Sequence, residues 1–513
     1  MRMTRRHALG LLASALPAAQ IEPPPGIEPE KGPFQGTRES LRGYEIPDWF
    51  RDAKFGIWAH WGPQSAVEAG DWYARNMYMQ GSPQYDYHCQ TYGHPSKFGF
   101  KDTIPLWKAE RFEPRELMAL YKKAGAKYFM SMGVHHDNFD LWNSKHNRWN
   151  SVQMGPKKDI VGMWRKAAAD AGLKFGVSEH LWITYKWFSV SHGHDETGPQ
   201  ADIPYDGADS KNFDFYVDSD EVHKKLDWNE GGIPEWWKRH WYLRIKDLVD
   251  NYQPDLLYTD GALPFEEYGL SLVAHLYNLN AARNGGKTQA VYTSKRQEDT
   301  PKGIAVFDVE RGLVDKIWPR PWQTDTCIGS WHYKRGQQYK SAKTVVDLLV
   351  DIVSRNGNLM LNFPLPASGH LDVQELNVLE GITKWMSVNS EAIHATRPWK
   401  IFGESPAVAE ASAQSASFNE RNRKDLTVAD VRFTTKGDTL YAFVMGWPDY
   451  QAVFRPLALG TALRVGKIQN VELLGFDGKL QWSQDESALK VLMPAQKPSD
   501  HAAVFKVTGA LSA

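Results

Sequence analysis

Cysteine is almost missing from this chain: 513 residues include only Cys89 and Cys327. A disulfide framework is therefore excluded and a cysteine-built metal site is implausible, which leaves either a single bridge or two ordinary thiols. Net charge is almost missing as well, since 60 Lys and Arg face 61 Asp and Glu. No long-range field then draws the chain to nucleic acid or to an anionic membrane, and a neutral partner is expected. Beyond the N-terminus no apolar run is long enough for a membrane helix. No Gly-x-Gly-x-x-Gly follows the first strand, no His-Glu-x-x-His occurs, and no Gly-x-Ser-x-Gly stands at a strand-to-helix turn. The main motif-level reasons to expect dinucleotide binding, a zinc hydrolase or a serine hydrolase fall away together.

What is abundant is aromatic: 21 Trp, 21 Tyr and 22 Phe. Several tryptophans stand beside polar residues, among them Trp58, Trp72, Trp142, Trp182, Trp236 and Trp331. Flat apolar faces next to hydrogen-bonding groups suit sugar rings, although core packing accounts for most such residues. At the N-terminus Arg5-Arg6 precedes an apolar run from Ala8 to Leu16 and then Pro17-Ala18-Ala19. This pattern predicts a twin-arginine export signal and a periplasmic destination. Residues 21–32, rich in Pro and Glu, read as a linker, so 1–32 is expected to be signal and linker.

From Lys54 to Trp385 amphipathic helices alternate with short apolar runs that end in polar residues, the rhythm of parallel strands with crossover helices. Strands are expected at 54–60, 127–133, 174–178, 255–260, 289–293, 304–309 and 358–363, the fifth and sixth with no room for a helix between them. The count predicts an irregular (β/α)8-like TIM barrel over 33–395. Alternating runs at Val431, Leu440 and Ala502, with turns at Gly437-Asp438 and Asp477-Gly478, predict a C-terminal β-sandwich over 396–513.

In a barrel of this kind the functional residues sit where strands end. Reading only those ends yields His60-Trp61, His135-His136-Asp137, Glu179-His180, Asp260 and Glu310. A metal site is not expected, because adjacent His135 and His136 on an extended segment would point to opposite sides. Paired carboxylates remain, the arrangement that cleaves acetals.

The runs 54–62 (KFGIWAHWG), 71–78 (DWYARNMY), 135–142 (HHDNFDLW), 257–261 (LYTDG), 321–326 (PWQTDT) and 330–333 (SWHY) resemble, in this order, the α-L-fucosidases of glycoside hydrolase family 29. The likeness spans roughly residues 33–398. It implies a retaining exo-acting hydrolase of fucosylated oligosaccharides or glycoconjugates, without cofactor or metal. Asp260 is implied as nucleophile, His60, Asp71, Trp72, His135 and His136 as fucose-binding groups, and Tyr258 and Trp331 as pocket walls. Glu310, at a strand end and at a family-like spacing from Asp260, is the expected acid/base, with Asp325 and Glu298 as competitors. Family members more often carry Glu at 71, Trp at 258 and Gly at 332, so pocket depth and tolerance for substituents are open; many carry Glu where this chain has Gln323, and an amide there favours Glu310 as the acid/base. A fucose-binding protein without turnover and an exo-glycosidase acting on α-L-galactosides are the alternatives.

Overall fold

A computed structural model describes residues 25–219, 221–300, 303–405 and 417–511. The segment with the arginine pair lies outside the described residues. Eight parallel strands close in sequence order into a barrel: β1 (Phe55–Ala59), β2 (Tyr128–Val134), β3 (Lys174–Glu179), β4 (Leu256–Thr259), β5 (Val291–Ser294), β6 (Val306–Glu310), β7 (Trp322–Cys327) and β8 (Gly357–Asn362). β8 pairs back onto β1, with Gly56 opposite Met360. Between β5 and β6, among the described residues, there is only the short 3-10 turn Gln297–Asp299, the irregularity expected from the spacing.

The helices that cover the barrel are α1 (Pro114–Lys123), α2 (Ile160–Ala171), α3 (Glu235–Tyr252), α4 (Glu267–Arg283), α5 (Ala342–Ser354) and α6 (Val373–Asn389). Their ends follow local chemistry. The Asp159 side chain accepts from Gly162 N–H to start α2, and Gly172 in the left-handed region (φ +71°) ends it. The α5 stripe of Val345, Leu348, Leu349 and Ile352 is buried. Among the described residues no helix is long and apolar enough to cross a membrane.

Inside the barrel, Trp58, Tyr128, Met130, Tyr258, Val306 and Met360 pack together. Gly56 makes room for Tyr128, since a Cβ there would lie 2.3 Å from its ring. Above this apolar layer the inner positions of β6 and β7 are polar: Gln323 accepts from the Tyr128 hydroxyl at 2.9 Å and donates to Asp308 Oδ1 at 2.8 Å.

After α6 the chain forms β9 (Arg397–Glu404), β10 (Val431–Lys436), β11 (Thr439–Val444), β12 (Gln451–Phe454), β13 (Asn470–Leu473), β14 (Trp482–Gln484), β15 (Leu489–Leu492) and β16 (Ala503–Thr508). They make a five-stranded sheet, β13-β16-β11-β10-β9, and a three-stranded sheet, β12-β15-β14, both antiparallel. Phe433 and Phe505 of one and Phe454 and Leu489 of the other share one core.

One expectation needs correction, and one pair of alternatives is decided. The Pro- and Glu-rich run is no free linker over its described part. Ile27 is fully buried, its carbonyl accepts from the Tyr242 hydroxyl at 3.0 Å, and Glu30 N–H donates to His275 Nδ1 at 3.0 Å. Composition suggested a tether, but one buried isoleucine straps it across α3 and α4. The two cysteines are both free thiols.

Candidate active site

The C-terminal ends of the strands converge on a cleft of about 720 Å³. It is bordered by His60, Asp71, Trp72, His135, His136, Tyr258, Asp260, Glu310 and Trp331, the nine residues expected to catalyse or to bind substrate. Trp58, His180, Trp228, Lys295, Arg311, Asp325 and Phe418 complete it.

Asp260 follows β4 directly. Its carbonyl accepts from Trp182 Nε1 at 2.6 Å, and the next residue, Gly261, has φ +141°, where a Cβ would crowd that same indole. The turn thereby fixes the Asp260 side chain. Oδ1 accepts from Lys295 Nζ at 2.5 Å, while Oδ2 faces His180 Nδ1 at 3.2 Å and His136 Nε2 at 3.4 Å. Glu310 ends β6, and its Oε2 accepts from the same Lys295 Nζ at 2.5 Å. One ammonium therefore holds an oxygen of each carboxylate, and the two oxygens are separated by at most twice 2.5 Å.

The two carboxyls titrate apart. For Asp260 burial acts to raise the pKa, but the Lys295 ammonium, His180 and His136 outweigh it and hold the group well below the usual carboxylate range. For Glu310 burial raises the pKa, Lys295 opposes it, and Asp325 and Asp260 add repulsion, with the result that it is pushed up to about 7. Asp308 beneath them is raised well above the carboxylate range by burial and by Asp325. A low and a high carboxyl on one cation is the pattern that separates a nucleophile from an acid.

The rival carboxylates sit differently. Asp325, in register with Glu310 on β7, is buried and accepts from the Tyr258 hydroxyl at 2.9 Å. Glu298 lies exposed on the 3-10 turn and does not border the cleft. Arg296 is paired with Asp299 at 3.1 Å, and Glu179 is buried behind the cleft, accepting from Leu181 N–H and Trp241 Nε1.

His135 and His136 do not point to opposite sides. Both rings face the cleft with centroids 4.5 Å apart. β2 ends at Val134 and the chain turns, with Asn138 at φ +61°, so strand alternation no longer applies. By position, His60, Asp71, His135 and His332, and again His135, His136 and His180, could hold a metal ion. Their tautomers are set by other bonds. Gln64 Oε1 accepts from Ala74 N–H, which aims its amide N–H at His135 Nδ1 (2.8 Å) and leaves the His135 proton on Nε2. His136 Nδ1 donates to the His180 carbonyl at 2.5 Å, and His332 Nδ1 donates to Asp71 Oδ1 at 2.7 Å. His60 and His332 keep buried ring nitrogens without a protein partner. Ring N–H donors interspersed with bare ring nitrogens match hydroxyl groups, which donate and accept at once. Burial and the neighbouring rings hold His60 and His135 well below the usual imidazole pKa, as neutral partners.

The family-level comparison settles what this cleft belongs to. A family model described as alpha-L-fucosidase matches residues 26–391, and one described as the alpha-L-fucosidase C-terminal domain matches 423–508. The chain belongs to the α-L-fucosidase family. It is thus a glycoside hydrolase, and the motifs that resembled this family are those now lining the cleft. Similar proteins include bovine tissue alpha-L-fucosidase, 27% identical over 493 residues, which span 92% of this chain and 90% of the relative. Human plasma alpha-L-fucosidase is 27% identical over 478 residues, covering 90% and 88%. A Thermotoga maritima alpha-fucosidase crystallised with fucose matches the fold with a TM-score of 0.68 at 24% identity, over 93% of this chain and all of that one. A Bacteroides thetaiotaomicron alpha-L-fucosidase gives 0.61 at 18%, over 91% and 95%.

Sequence reasoning missed Lys295, Trp228 and Phe418, and treated His332 only as a departure from the family pattern. Of the six tryptophans flagged beside polar residues, Trp58, Trp72 and Trp331 border the cleft and Trp182 braces Asp260. Trp142 is buried on Asp247, and Trp236 is half exposed outside the cleft.

Proposed function

We propose that this protein is a retaining exo-acting α-L-fucosidase that releases terminal L-fucose from fucosylated glycans by double displacement. The observation that carries the reading is the carboxyl pair on Lys295, close together and shifted in opposite directions. A carboxyl separation of about 5–5.5 Å is what a retaining mechanism needs, and inversion wants a wider gap for water.

In the first step an ionised Asp260 oxygen bonds to the anomeric carbon while the glycosidic C–O bond breaks, and the Glu310 proton goes to the departing oxygen. In the second, Glu310, now a carboxylate, takes a proton from water. The water oxygen bonds to the same carbon and Asp260 leaves, so configuration is kept. His60, His135, His136 and the Asp71–His332 pair hold the hydroxyls, and Trp58, Trp331 and Tyr258 supply apolar wall. Delivery outside the cytoplasm, expected from Arg5-Arg6, belongs to the same proposal.

The test is turnover of 4-nitrophenyl α-L-fucoside followed by proton NMR. The α anomer of L-fucose should appear first. The β anomer first, or no release of fucose, would overturn the reading.

A further inference from the structure

A carboxyl that protonates a departing oxygen must touch it, so the sugar that leaves sits on the Glu310 side of the cleft. That wall is not built by the barrel alone. Part of the connection between β9 and β10 of the sandwich lies at the mouth, where Phe418 N–H donates to the Glu310 carbonyl at 2.8 Å and Glu420 N–H donates to that of Arg311 at 3.0 Å. Asn419 grips Leu313 twice: its Oδ1 accepts from Leu313 N–H at 3.1 Å and its Nδ2 donates to the Leu313 carbonyl at 2.9 Å. Glu420 accepts from the Thr326 hydroxyl at 2.6 Å and pairs with Lys340 at 2.7 Å.

Held by these bonds, and with φ +59°, Phe418 leaves its ring 52% exposed at the edge of the cleft. Core packing does not account for a phenyl ring presented to solvent on a backbone held at Phe418 and Glu420. Beside it the Arg311 guanidinium lies over the Trp331 ring at 5.1 Å, with a buried Nε that has no partner among the described residues. Arg311 and Phe418 also border a second cavity of about 420 Å³, next to Lys340, Glu420 and Arg423.

We propose that this connector forms the subsite for the sugar that carries the fucose. Phe418 supplies the stacking face for a neutral pyranose and Arg311 the donor to its oxygens, with the second cavity receiving the next unit of an oligosaccharide. The proposal rests on the fucosidase reading above.

The experiment compares kcat/KM for a fucosyl-hexose disaccharide with that for α-L-fucosyl fluoride, whose leaving group is too small to reach Phe418. In Phe418→Ala the disaccharide-to-fluoride ratio should fall about tenfold through KM, as expected for one lost stacking contact, and Phe418→Trp should restore most of it. An unchanged ratio, whether both substrates keep their rates or slow equally, would overturn the subsite and leave the fucosidase reading standing. A wild-type protein that turns over neither substrate would overturn both.

Discussion

At the seam between barrel and sandwich, Asp351 of α5 meets three guanidinium groups: Arg432 at 2.6 Å, Arg423 at 2.8 Å and Arg355 at 3.1 Å. At the barrel mouth the proportion is inverted, with Asp260 and Glu310 sharing the single ammonium of Lys295 while Asp325 and Asp308 press on it from nearby. Both regions bury carboxylates among cations, yet they serve opposite ends. Around Asp351 cation outnumbers anion, so the carboxyl is held far below its usual range, against burial, by Arg355, Arg432 and Arg423. Such a cluster fixes one geometry and leaves the Asp351 carboxylate nothing to offer a ligand. At the mouth the anions are in excess, one carboxyl is forced up, and ring nitrogens are left over. A surplus of unmatched polar groups in a concave site is what substrate can complete, and this difference marks function better than burial or charge count.

The comparison breaks most sharply at Asp260. Asp260→Asn keeps the shape but cannot form the ester intermediate, and kcat should fall about ten-thousandfold or more with the fold intact by circular dichroism. Near-normal turnover of an activated aryl fucoside would remove Asp260 from the mechanism.

Glu310→Ala should cost about 10²–10⁴-fold on natural linkages and far less on activated aryl fucosides, which need no proton in the first step. Added azide should rescue it as α-fucosyl azide, since azide displaces Asp260 from the fucosyl-enzyme and configuration is retained. Equal slowing of both substrate types, with rescue appearing instead in Asp325→Ala, would move the acid/base role to Asp325.

On the structural side, Asp351→Asn leaves the buried guanidiniums of Arg355 and Arg432 and the half-buried one of Arg423 without their anion. It should lower stability by about 3–5 kcal/mol while kcat at 25 °C stays near wild type. The readout is the urea midpoint at constant slope; a variant that loses activity without losing stability would erase the contrast drawn here.

Much of this was legible in the sequence, for identifiable reasons. Strands such as Phe55–Ala59 and Leu256–Thr259 are largely apolar and are followed directly by a polar residue, so both the barrel and the positions of His60 and Asp260 follow from pattern. β7 escaped because Gln323, Thr324, Asp325 and Thr326 are polar and yet buried, facing partners that only the closed barrel supplies. Lys295 escaped by two residues: the fifth strand was expected to end at Thr293, whereas β5 runs to Ser294 and places Lys295 at the strand end. Its neighbour Arg296 pairs with Asp299 instead. Phe418 carried no local signal, since it reaches the mouth from over a hundred residues away by hydrogen bonds to Glu310 and Leu313 that follow from tertiary folding alone.

The smallest expected effect is also the most diagnostic, because the two clusters should answer pH in opposite directions. Asp351 has a depressed folded pKa, so its contribution to stability is complete above its unfolded value and is lost as pH falls through the folded one. Glu310 is raised from its ordinary 4.5 to about 7, so stability declines as pH rises between those values and the catalytic proton is lost above the upper one. With Asp260 ionised far down the scale, kcat/KM should be level through mild acid and fall about tenfold per unit above pH 7. Lys295→Met tests who sets these edges. The ammonium lowers both carboxyls, so without it the acid limb and the alkaline limb should both move to higher pH, whatever happens to the plateau rate. A profile that keeps both edges while only its height drops would make Lys295 a substrate contact and not the cation that divides the pair.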